Sequence, residues 1–235
     1  TITKMKSNLF FLGAALLLLV SCSSELDMPR NEALVEGKTP LSVNVLANPS
    51  TKALVNGTAL PGGSKIGVKL VKSADGSAYD NKTYNNIFYS TTDGNSWTVD
   101  PANQILLSAT EGKAYAYYPY SSAVSDFKAI SISSAANPTD QIDYMYGNVA
   151  TGLKNSNPTA NFTMKHAMAI VNFEIAKGSY TGTGSITSVK MKGNTASNTG
   201  TMNAEAGTVT ATNKGYEFES TNSLTLGNSS TGKFI

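Results

Sequence analysis

Side chains able to do chemistry are few in this sequence: one cysteine, Cys22, one histidine, His166, and the close carboxylate pairs Asp140/Asp143 and Glu217/Glu219. Nucleophilic catalysis needs a nucleophile, a base and a group that orients the base. His166 has no Gly-x-Ser-x-Gly elbow to serve, and its apolar surroundings, Met164 to Ile170, predict a core histidine bonded to backbone. A zinc site needs several Cys or His ligands, which are absent. Asp140 and Asp143 fall in a loop where Ca²⁺ is the alternative to ordinary solvated carboxylates. Glu217 and Glu219, two apart in a strand, share one face and read as solvated. No phosphate loop or dinucleotide fingerprint occurs, so no cofactor is implied. Matches to Asn-x-Ser/Thr at Asn56, Asn81, Asn161 and Asn228 are expected by chance in a chain so rich in Asn and Thr. These residues describe a protein without catalysis.

The lone cysteine is explained by its setting. Met5 is a plausible start, Lys6 is basic, and Leu9 to Val20 is an apolar run of twelve residues that ends at small residues before Cys22. That order is a secretory signal peptide over residues 1–21, and twelve residues fall short of the roughly 20 that span a bilayer. Leu19-Val20-Ser21-Cys22 resembles a bacterial lipobox, whose Cys becomes the first mature residue and carries acyl chains such as palmitate. The resemblance implies tethering to the outer membrane, each methylene adding about 0.8 kcal/mol of partitioning. Ser23-Ser24-Glu25-Leu26-Asp27 is similar to a surface-export tether. Without Lys4 and Lys6, 16 basic residues face 16 acidic ones, and they are scattered. Nucleic acid is not an expected partner.

Positioning falls to strands. Ser, Thr and Asn make up 75 residues, a mixture that suits turn-rich extracellular β-structure, while 40% hydrophobic content is too much for a disordered linker. A linker over 22–40 contains Arg30. Leu41-Ser42-Val43-Asn44-Val45 alternates with period two, the pattern of a half-buried strand. Pro61-Gly62-Gly63, Asp75-Gly76 and Asp93-Gly94 are turns. Between and beyond them lie strand segments at Lys65–Lys72, Tyr84–Tyr89, Trp97, Ile105–Leu107, Ala114–Tyr118, Ile130–Ile132 and Asp143–Tyr146. Pro119 belongs at a sheet edge or a strand end. Residues 152–161 read as a polar boundary, giving domains 41–155 and 156–235. The run Phe162 to Ile175 is expected to be one long strand whose apolar parity switches near Met168–Val171, which predicts a bulge or a stretch buried on both faces. Thr231-Gly-Lys-Phe-Ile235 reads like a strand interior, so the second domain is expected to be truncated.

Several segments together resemble bacterial fimbrillins of the Mfa-like type, subunits of type V pili. They are Cys22, Thr51-Lys52-Ala53-Leu54-Val55-Asn56-Gly57, Gly63-Ser64-Lys65-Ile66-Gly67-Val68, Ala116-Tyr117-Tyr118-Pro119-Tyr120 and Phe162-x-Met164-x-His166-Ala167-Met168-Ala169. The resemblance covers Cys22 to about Thr210. It implies an all-β chain of two β-sandwich domains, transthyretin-like or Greek-key, after a lipoprotein signal peptide. Such subunits are exported to the cell surface as lipoproteins and cut by a trypsin-like protease. The cut frees an N-terminal strand, and another subunit's strand fills the groove. The contact is head-to-tail and open, so it builds a fimbrium. On this reading Leu41, Val43 and Val45 belong to the removable strand, and Lys52-Ala53 is the cleavage site, with Arg30 as the alternative. The family's usual Thr-Arg-Ala is here Thr-Lys-Ala. The donor strand is expected beyond the end of this sequence.

A rival reading remains open, a surface lipoprotein or pilus-tip adhesin that binds a host glycan or protein. Its aromatic platforms would be drawn from Tyr84, Tyr89, Trp97, Tyr115, Tyr117, Tyr118 and Tyr120, foremost Trp97, Tyr118 and Tyr120. Their alternative role is core packing.

Overall fold

A computed structural model describes residues 37–48, 58–135, 141–220, 224–225 and 229–234. Cys22, Arg30, Lys52, Ala53 and Asp140 lie outside the described residues. The described residues belong to one compact unit. It is all-β, and among the described residues the one helical turn is a 3-10 turn at Pro101–Asn103.

The strands run in chain order as follows. First come β1 (Thr39–Pro40), β2 (Ser42–Ala47), β3 (Lys65–Lys72), β4 (Tyr84–Thr91), β5 (Trp97–Val99) and β6 (Leu106–Leu107). Then come β7 (Gly112–Tyr118), β8 (Ile130–Ser133), β9 (Met145–Gly147), β10 (Ala150–Leu153), β11 (Thr159–His166) and β12 (Val171–Ala176). The remainder are β13 (Ser185–Ile186), β14 (Val189–Lys192), β15 (Thr199–Asn203), β16 (Thr208–Ala211), β17 (Glu217–Ser220), β18 (Leu224–Thr225) and β19 (Ser229–Phe234).

An eight-stranded sheet in the order β2-β11-β9-β7-β3-β4-β5, with β10 beside β9 on β7, makes the N-terminal layer. All its pairings are antiparallel except β2 with β11. The sheet curls until β2 and β5, at opposite ends of that order, touch each other. Its concave face holds Leu41, Val43, Val45, Ile66, Val68, Leu70, Tyr89 and Phe162 in one core. The outer face of β3 and β7 carries Val71, Tyr115 and Tyr117. These pack on Phe127, Ile130, Ile132 and Met202 beneath the β16-β15-β8 sheet. Two layers with two cores follow from period-two side chains on strands covered on both faces. Lys69 and Glu205 bridge the layers at 2.6 Å.

Local chemistry explains the register. Gly67 lies under the Tyr117 ring, and a Cβ there would collide with that ring and with Asn86 Oδ1. Asn86 takes a left-handed φ of 54° at the bulge of β4. From there its amide donates to the carbonyls of Ser121 and Val124, both at 2.9 Å, and so anchors the loop after β7. Asp93 closes the β4–β5 turn by accepting from the amides of Ser96 and Asn95, at 2.7 and 2.8 Å. Those bonds, the Ser96 amide foremost, hold its carboxyl well below the usual carboxylate range.

Two sequence expectations change. Phe162 to Ile175 is not one bulged strand: β11 ends at His166 and β12 begins at Val171. The parity switch marks the place where the chain leaves one sheet for another, since β12 pairs with β19. The polar stretch 152–161 spans the end of β10, the turn at 154–158 closed by Lys154 and Asn157, and the start of β11. β11 therefore bonds into the N-terminal sheet, although the boundary drawn at 155/156 placed it in the second domain. In the C-terminal half β12–β19, β13–β18 and β14–β17 form separate two-stranded ladders.

Candidate functional site

Sequence alternation in β2 becomes a seam in the structure. Leu41, Val43, Val45 and Ala47 are 3, 4, 4 and 2% exposed, whereas Leu46, pointing outward, is 58% exposed. Burial of each of the three larger side chains contributes roughly 1.5–3 kcal/mol. The bed beneath them is β11, whose Ala160, Phe162 and Met164 are buried. Val43 lies in register with Ala160 and Val45 with Phe162.

Among the described residues, the ladder of β2 lies on one side. Its N-terminal end is tied by Ser42 N–H to Pro158 O at 2.9 Å, its C-terminal end by Asn48 N–H to Met164 O at 2.9 Å. Along the opposite edge, toward β5, Leu41 N–H reaches Ile105 O and Ala47 N–H reaches Thr58 O, at 2.8 and 2.9 Å. The Tyr89 hydroxyl donates to Leu41 O at 3.4 Å, and burial pushes that phenol above its usual range. β2 is thus an apolar plug held along one edge by a parallel ladder and tied at its two ends along the other. Removing it would leave a groove floored by β11 and open at an unpaired strand edge.

His166, at the end of β11, lies beside the exit of β2. Its Nδ1 is 2.8 Å from Asp143 Oδ1 and its Nε2 is 3.1 Å from Asn48 O. The expected backbone bond is present. The carboxylate partner was not foreseen, because 23 residues separate the two in sequence. The signal was the Asp143-Tyr-Met-Tyr strand: β9 pairs antiparallel with β11, Met145 opposite His166. No group of carboxylates, His and Cys among the described residues is placed to hold a metal ion. Glu217 and Glu219 form the solvated face the sequence predicted, both reaching Lys190, at 3.3 and 3.4 Å. The Glu217 bond above all raises the Lys190 ammonium pKa.

Most of the aromatic candidates serve the core. Tyr84, Tyr89, Tyr115 and Tyr117 are buried, and Trp97 and Tyr118 pack against the first core. The Trp97 indole N–H meets no acceptor among the described residues. Tyr120 is half-buried, its ring 4.9 Å from that of Phe88. With Pro119, Ser121, Asp126 and Tyr144 it lines a recess of about 630 Å³. A second, apolar recess of about 310 Å³ lies against Ile132, Met168, Val171, Met191, Val209 and Phe218.

Residues 51–235 match a family model described as fimbrillin-like. Among solved structures the chain is similar to a candidate cell adhesion protein from Bacteroides uniformis, at 21% identity and a TM-score of 0.59, covering 85% of this chain and 76% of that one. It is similar also to one from Bacteroides ovatus, at 22% identity and a TM-score of 0.58, covering 83% of this chain and 78% of that one. Both likenesses concern the fold. Among curated proteins none matches.

Proposed function

Since the chain belongs to the fimbrillin-like family, and so is a fimbrial, adhesion-type subunit of the cell surface, we propose that it is a structural fimbrillin assembled by strand exchange. In this reading it is exported as a lipoprotein with acyl chains on Cys22 in the outer membrane, and has no catalysis. A trypsin-like protease cuts between Lys52 and Ala53, with Arg30 the alternative. β2 then leaves, and an apolar strand of another subunit takes its bed on β11.

One observation carries this reading: Leu41 and, in β2, Val43, Val45 and Ala47 plug the core, yet among the described residues β2 meets the rest of the sheet through a parallel ladder on one edge. A cut near residue 52 would leave it held by that ladder, its end ties and its apolar side chains. The empty groove would expose apolar surface and unpaired backbone groups, which an incoming strand with alternating apolar residues satisfies.

The test is digestion of the full-length precursor with a Lys/Arg-specific protease. The expected result is a new N-terminus at Ala53, followed by ladders on unboiled gels and filaments by electron microscopy. Cleavage at Arg30 alone would keep β2 attached, and resistance at both sites with no oligomer would overturn the proposal.

The second reading, adhesion to a host glycan, draws on the recess at Tyr120. Its walls combine aromatic rings with hydroxyls and the Asp126 carboxylate, the usual mixture for stacking and bonding a sugar. A carbohydrate array is expected to bind the chain and to lose signal on Tyr120→Ala with the fold intact. A blank array removes the reading.

A further inference from the structure

We infer that His166 and Asp143 form a proton-dependent clamp on the exit end of β2. The purpose assigned to it rests on the strand-exchange reading. The clamp itself is a property of the intact chain.

Both ring nitrogens of His166 face acceptor oxygens, the Asp143 carboxylate at 2.8 Å and the Asn48 carbonyl at 3.1 Å. A neutral imidazole donates from one nitrogen only. If Nδ1–H serves the carboxylate, the Nε2 lone pair points at the Asn48 carbonyl, oxygen against nitrogen with no proton between. If Nε2 keeps the proton, a lone pair faces a carboxylate. Only the imidazolium donates to both. Proton uptake therefore adds one charge-assisted bond to the strand end, and proton loss removes it.

Asn48 is where such a bond matters. Its own N–H bonds to Met164 O at 2.9 Å, so the peptide groups around it are held twice by β11, once through backbone and once through the imidazole. Asn48 is also the last described residue before the segment that contains Lys52. A grip here controls whether the end of β2 nearest the proposed cut frays, and fraying at an end is how a strand begins to leave a ladder.

Asp143 is the charged group at the ring from the segment before β9, and β9 itself sets Met145 opposite His166. From β2 comes the uncharged Asn48 carbonyl, and on β11 the neighbouring Lys165 is exposed on the other face. The side chains of His166 and Asp143 are 9 and 11% exposed, enough enclosure to limit screening by water.

The test is amide hydrogen exchange by NMR on the full chain at pH 5.5 and pH 8, on either side of the range where histidine changes charge. Rates are corrected for intrinsic pH dependence and referred to the amides of Val68 and Ala116 in the sheet centre. Protection of the Asn48 amide is expected to be about five- to tenfold greater at the lower pH, as suits one charge-assisted bond at a partly enclosed site. His166→Gln, which keeps one donor but does not titrate, is expected to abolish the difference. Equal protection of Asn48 in the wild-type chain at both pH values would overturn the clamp, and that comparison needs no variant. Resistance of the precursor to cleavage would remove the strand-exchange reading and leave this ratio untouched. A flat ratio with normal polymerisation would do the reverse.

Discussion

With Val43 replaced by aspartate, the chain is expected to lose roughly 3–5 kcal/mol of unfolding free energy at neutral pH, the scale of an uncompensated buried charge. Val43 is 4% exposed and lies in the first core, in register with Ala160 of the neighbouring strand. The new carboxyl would be favoured neutral, with its folded pKa above the unfolded value. Its cost is therefore smallest below the ordinary carboxylate range and grows as pH rises through it. Asn44→Asp, one residue along, is the control: Asn44 is exposed and bonds Asn161 across the outer surface at 3.0 Å, so its change is expected within about 0.5 kcal/mol. Urea unfolding of the two variants reads both. A one-residue slip of β2 would exchange the two results, because a strand moved by one residue turns every side chain to the opposite face. Equal, small effects would mean that β2 does not plug the core.

Phe162→Ala tests the bed instead of the plug. Phe162 is 1% exposed, lies in register with Val45, and stands so close to Gly147 that a Cβ there would come within 3.1 Å of its ring. Truncation is expected to cost about 3–5 kcal/mol, from lost burial plus a cavity that β9 and β2 cannot close together. Thr163→Ala, on the exposed face of β11, should change stability by no more than about 0.5 kcal/mol. The midpoint in urea should fall for Phe162→Ala with the slope unchanged. If strand exchange is the function, the same variant should also weaken polymerisation, since plug and incoming strand use the same bed. A loss below about 1 kcal/mol would show that Phe162 is not part of the groove floor.

Much of this was legible in the residues. Leu41, Val43 and Val45 were read as one apolar face, and the structure buries those three. The turns at Gly63, Gly76 and Gly94 have the positive φ their sequences require. Pro119 follows the last residue of β7. The aromatic segments read chiefly as core are core. Family likeness was legible because several loose motifs recur in one order, and the family match over residues 51–235 agrees with it.

The misreadings share one cause. Phe162 to Ile175 looked like one strand since both halves are apolar and β-branched or aromatic, and parity alone cannot separate a bulge from a change of sheet. The polar stretch at 152–161 looked like a domain boundary because turn residues and linker residues are the same residues. Asp143 was weighed with Asp140, its near neighbour in sequence, while its partner in the structure is His166.

The sequence alone determined which side chains of each strand point inward, because alternation is a local consequence of the extended backbone. It determined the turns and the scarcity of chemically active side chains, which favours a structural role. Only the tertiary structure decided the partners. That β2 lies parallel to β11, more than a hundred residues away, that β11 and β12 serve different sheets, and that His166 meets both Asp143 and Asn48 are pairings between distant segments. An alternating strand says which face it buries, but its backbone donors and acceptors are the same for every neighbour. The choice of neighbour falls to the packing of the whole core.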